Sequence, residues 1–186
     1  MLSILPEKEI GDNAAWAIPL SGRRVSLDTN GVDVASEQIK AAMSDSSLPW
    51  NQKLSVLVVD TAFSKRQFLF EQSQQDNLVV IARCRSNRVF YQSPPDEELN
   101  KKRGCPKKYG ERFDLGDAET WHSPDETTVV QQTTRKGRTL NVNIRAWHQM
   151  LMRGTKYQKM YLHPFTLIRI NVTDDSYQPM WKPMWL

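Results

Sequence analysis

Two apolar runs, Leu54-Ser-Val-Leu-Val-Val59 and Leu78-Val-Val-Ile-Ala82, constrain this chain more than any other feature. Both are short, rich in Leu and β-branched residues, and almost free of polar interruption. Runs of that kind belong to strands buried on both faces. Between them Ser64 stands as the N-cap of a helix through Gln75, with Phe68, Leu69 and Phe70 turned inward and Asn77 as its stop. Residues 54–82 are therefore expected to form a β-α-β unit, its strands parallel and joined by a right-handed crossover. The first run ends on Asp60. The carboxyl edge of a parallel strand is where α/β sheets hold ligand-binding groups, and a carboxylate fixed there is a hard, anionic donor suited to Mg²⁺. Asp after a strand also caps turns and helices, so position alone leaves both roles open.

The flanking segments read differently. Trp16–Leu20 and Arg24–Leu27 have the look of short strands, with Pro19 demanding an edge position. From Val32 to Ser44 the apolar residues Val32, Ala35, Ile39, Ala42 and Met43 share one helical face. Beyond Arg83 the pattern turns to strands: Val89–Tyr91, then a polar loop through Lys108, then Thr127–Thr134, Arg138–Trp147 and Leu162–Val172. The expected fold is α/β, with a partial core over residues 1–90 and a mainly antiparallel β subdomain over 91–186. Pro179-Met-Trp181 recurs as Pro183-Met-Trp185 and leads to Leu186. Apolar residues at such a position suggest a strand whose partners are missing or supplied elsewhere. Residues 83–186 are accordingly expected to pack less well than residues 30–82, and the chain to be marginal or self-associating.

Charge is unevenly spread. Residues 113–134 carry five acids and no base, whereas residues 135–169 carry eight bases and no acid. An acid-free window of that length is an electrostatic footprint for a polyanion, or else a solvated basic face balanced by the acidic block beside it. Lys101, Lys102, Arg103, Lys107 and Lys108 crowd a loop broken by Gly104 and Pro106, a segment able to follow phosphates. With Arg135, Lys136 and Arg138, these residues form the candidate DNA-contacting set.

Several chemistries have no support. Cys84 and Cys105 make no disulfide framework, so a reducing, cytoplasmic setting is the default. Neither Cys spacing nor the separation of His122, His148 and His163 suits zinc. Nucleophile-elbow, dinucleotide and P-loop motifs are missing. The apolar runs fall far short of a membrane span, and Met1-Leu-Ser-Ile-Leu5 lacks the basic lead-in of a signal peptide.

One family matches the order of these pieces. Leu54-Ser-Val-Leu-Val-Val-Asp-Thr-Ala-Phe-Ser64 resembles the segment around the second catalytic Asp of DDE transposases from bacterial insertion sequences. Asn77–Tyr91 is similar to the strand and exit that follow it, Arg103–Gly110 to a basic loop, and His163–Arg169 to a late strand of the same group. The resemblance implies an RNase H-like core interrupted by a β-rich insertion. It also implies DNA cutting and joining with two Mg²⁺ ions held by Asp, Asp and Glu. Asp60 maps onto the second Asp; Asp28, Asp33 and Asp125 fit neither of the other positions. The first Asp would lie upstream of Met1 and the Glu downstream of Leu186, so the chain reads as the truncated centre of such an enzyme, inactive alone. A second reading is a non-catalytic DNA-binding protein that regulates or titrates a full-length transposase. A third is a metal-dependent nuclease that combines Asp60 with other acids.

Overall fold

The computed structural model describes residues 1–4, 17–95, 105–134 and 136–186. The protein is mixed α/β, with two α-helices and mostly antiparallel sheets. It divides into two compact units: Met1–Leu57 with Glu71–Val79, and Val58–Phe70 with Val80–Leu186.

In the first unit β1 (Leu2–Ile4) and β2 (Ile18–Ser21) pair antiparallel, with Pro19 opposite Ser3. In a two-stranded sheet both strands are edges, which is what a residue without an N–H requires. Helix α1 (Gly31–Ser44) starts at Asn30, whose side chain accepts the Val32 N–H at 3.0 Å. It buries Ile39 and Gln38, and the Gln38 amide donates to Ser21 Oγ at 2.8 Å. The strand expected at Arg24–Leu27 does not form. Thr29 and Ser26 tie that segment into a local turn, and Leu27 is left in solvent.

The β-α-β unit is present as β3 (Ser55–Val59), α2 (Arg66–Gln72) and β4 (Leu78–Ala82). Ser55 N donates to Asn77 O and Arg83 N to Val59 O, so the pairing ascends along both strands together, which is the parallel arrangement. Two details depart from the expectations. β3 is not buried on both faces, for Val56 and Val58 are 58% and 63% exposed while Leu57 and Val59 are half-buried. Among the described residues β4 is its only partner strand, and the alternating exposure shows one face open to solvent. Helix α2 is also shorter than Ser64–Gln75. The Ser64 hydroxyl donates back to Thr61 O at 2.9 Å, closing the 3₁₀ turn Thr61–Phe63 instead of capping α2.

The second unit holds the main core, contrary to the expectation that residues 83–186 pack less well. Within residues 30–82 the fully buried apolar side chains are Ile39 and Phe68 alone. Phe90, Phe113, Trp147, Met150, Leu167 and Trp185 instead form one buried cluster. Strands β5 (Val89–Tyr91) and β6 (Arg112–Asp114) pair antiparallel and place Phe90 opposite Phe113. Strands β7 (Glu126–Thr133), β8 (Thr139–Met150), β9 (Phe165–Thr173) and β10 (Met184–Trp185) make a four-stranded antiparallel sheet in the order β10-β9-β8-β7. The antiparallel half is thus as its alternation predicted. A bulge beyond Trp147, with Gln149 at φ 53°, lets β8 turn Met150 into the cluster. The apolar Met184–Trp185 segment finds its partner inside the chain, pairing with Ile170 and Arg169 of β9. An indole carries enough apolar surface to hold even a two-residue strand in place.

Candidate nucleic-acid interface

Asp60 follows β3 directly and opens the 3₁₀ turn, its carbonyl accepting from Phe63 N at 2.9 Å. Its side chain is exposed, makes no capping bond, and has no partner among the described residues. The next residue, Thr61, lines a cleft of about 690 Å³ within the second unit. The walls are Arg83–Asn87 at the carboxyl end of β4, Leu115 and Trp121, Arg169 of β9, and Lys182–Trp185. Four of these residues are cationic and none is acidic.

Arg169 is the most constrained of the four. Its guanidinium lies 5.0 Å from the ring centre of Trp121 and 5.6 Å from that of Trp185, so two indole faces fix its plane. Its Nε is buried without a hydrogen-bond partner. Burial, and after it the neighbouring Arg145, hold the guanidinium below its usual pKa. The indole nitrogens are occupied elsewhere: Trp121 Nε1 donates to Asp114 O at 2.6 Å and Trp147 Nε1 to His122 O at 2.9 Å.

The residues singled out from the sequence are placed on other elements. Lys101, Lys102, Arg103 and Arg135 lie outside the described residues. Lys107 and Lys108 are exposed, and the Lys108 ammonium sits 4.9 Å from the ring centre of Tyr161. Lys136 and Arg138 are exposed on the β7–β8 turn, which Gly137 closes at φ +74° with its N–H donated to Thr134 O. The cleft cations Arg83, Arg85, Arg169 and Lys182 were not in that set. Arg83 and Arg85 gave a local signal, because they directly follow a parallel strand. Arg169 closes the acid-free window 135–169 but was not singled out within it, and Lys182 gave no signal; pairing of β9 with β10 brings both into the wall.

The sequence profile of the DDE superfamily endonucleases matches residues 10–154, well over half of the chain. The chain belongs to that superfamily. No curated protein and no solved structure matches it. Membership in the DDE superfamily implies a DNA substrate, and nucleases of this kind use divalent metals. The described residues of this DDE chain do not by themselves make such a metal site. No three His, Cys, Asp or Glu side chains converge among them, and Asp60 is one carboxylate with no second donor described beside it. Also among the described residues, no helix is long and apolar enough to cross a membrane.

Proposed function

We propose that this chain is part of an insertion-sequence transposase, a DNA-binding portion that is catalytically inert alone. The observation that carries this reading is Asp60, a carboxylate without a partner among the described residues, at the carboxyl end of a parallel strand in a DDE chain. Asp60 occupies the place of a metal ligand, and Mg²⁺ is the ion suited to such a hard donor. One carboxylate cannot fix two ions, so no cleavage step follows from the described residues. In this reading residues 1–90 correspond to a partial RNase H-like core and residues 91–186 to its β-rich insertion. In the same reading DNA is contacted by Lys101, Lys102, Arg103, Lys107, Lys108, Arg135, Lys136 and Arg138.

The test is incubation of the chain with supercoiled plasmid and Mg²⁺, read both as a mobility shift and as nicking. A salt-sensitive shift without nicks is expected. Nicking that disappears in D60N would overturn the inert assignment, and no shift at low salt would overturn the DNA reading.

A further inference from the structure

The register of the β8–β9 pair sets two arginines directly against each other. Arg145 faces Arg169, and side chains opposite in an antiparallel pair stand on the same face of the sheet. Like charges in that position repel, and neither residue has a carboxylate partner among the described residues. The next row of the same face places Asn143 opposite Asn171. The side-chain oxygens of both asparagines are buried without hydrogen-bond partners among the described residues, as is Arg169 Nε. All three unsatisfied atoms thus fall in two adjacent rows of one sheet face. Buried polar atoms are normally paired, and three orphans together mark a surface arranged for something other than stability.

That face runs into the cleft lined by Thr61, the residue after Asp60, since Arg169 belongs to both. Arg85 and Lys182 add exposed charge at the cleft wall, and the two indoles hold the Arg169 plane so that little entropy is given up in ordering it. We propose that Arg145 and Arg169, with Arg85 and Lys182, form a phosphate-binding station that holds the backbone of a nucleic acid next to Asp60. A phosphodiester between the two arginines would remove their mutual repulsion and supply the acceptors that guanidinium groups bind best. The occupant is a polyanion and not a small anion, because Arg85, Arg169 and Lys182 line the cleft from the exit of β4, from β9 and from the approach to β10, while Arg145 continues the row on β8. This inference rests on the DNA reading above, and adds residues to it that the basic loops do not include.

The experiment is fluorescence anisotropy of a short labelled duplex with the full chain, repeated across a salt series. Neutralising one cation that binds a phosphate flattens the log–log salt slope by about 0.9. R145Q/R169Q and R85Q/K182Q are each expected to flatten it by about 1.8, whereas the charge-matched control R23Q/R24Q, at two exposed arginines of the other unit, leaves it unchanged. Arg85 and Lys182 are exposed, so the second pair keeps the test valid even if R169Q disturbs the core. Inorganic phosphate should displace the duplex no better than another salt at matched ionic strength. Selective displacement by phosphate would make this a small-anion site and overturn the assignment. Duplex binding with unchanged slopes in both pairs would overturn the station and leave the DNA reading standing. No binding by the wild-type chain at low salt would end both.

Discussion

Replacing Trp185 by Ala should cost the second unit much of its stability, although the strand that carries this residue has only two members. Trp185 is 3% exposed and packs on Trp121, Trp147 and Phe113 at ring-centre distances of 5.2, 5.7 and 6.3 Å. A buried indole removes roughly 200 Å² from water, an upper bound of about 5 kcal/mol at about 25 cal/mol per Å². Measured truncations of buried aromatics fall at about 3–5 kcal/mol, and removal of the Arg169 stack adds about 0.5–1 kcal/mol. A total near 4 kcal/mol is expected, against a typical domain stability of about 5–15 kcal/mol. Urea unfolding followed by far-UV circular dichroism gives the number, and near-UV signal from the indole cluster should fall with it. The control is Trp181→Ala, four residues away in the chain and 52% exposed, which should cost less than about 1 kcal/mol. A Trp185→Ala loss below about 1 kcal/mol, or equal losses in the two variants, would refute the claim that β10 is part of the core.

Further outcomes can be checked on the same material. Asp60→Asn should change the unfolding free energy by no more than about 0.5 kcal/mol, because the carboxylate is exposed and has no partner among the described residues; a larger loss in urea melts would make Asp60 structural. Gly154→Ala should destabilise by about 1–3 kcal/mol or more in thermal denaturation, since the added Cβ would collide with the backbone O of Gln158 and meet Met160 N at 2.7 Å. Burial pushes the Cys84 thiol up, with Arg88 offsetting part of the rise, whereas Cys105 is exposed. Iodoacetamide should therefore label Cys105 first and the partly buried Cys84 more slowly, which mass spectrometry resolves. By linkage, the Cys84 contribution is fully present below the unfolded thiol value of about 8.5 and is lost as pH rises above it; stability that rises in that alkaline range would contradict the assignment.

Much of this architecture is legible in local sequence. Alternation in 138–147, and in part in 162–172, marks β8 and β9, because an antiparallel strand imposes a period of two on its side chains; β7 is marked by its Thr, Val and Gln content alone. The apolar face of Val32–Ser44 marks α1, because residues three and four apart meet on one side of a helix. The second run, Leu78–Ala82, and the acid after the first run located a parallel pair and Asp60. The same reading misjudged the burial of β3, since whether a valine is covered depends on what packs over the strand and not on the strand. It also misjudged Ser64, whose hydroxyl had a nearer acceptor in Thr61 O than the helix could offer.

The sequence by itself determined the parallel pair β3 and β4, the long strands β7 to β9, the acid that follows β3, and how charge is distributed along the chain. Only the tertiary structure decided where the core lies and which cations act together. Phe113, Trp121, Trp147 and Trp185 meet because strand pairing closes long loops, and no local pattern encodes which aromatic will find which. The pairing of Arg145 with Arg169 is likewise a consequence of register. A slip of one residue in β9 would send Arg169 to the opposite face and leave the cleft without its stacked guanidinium.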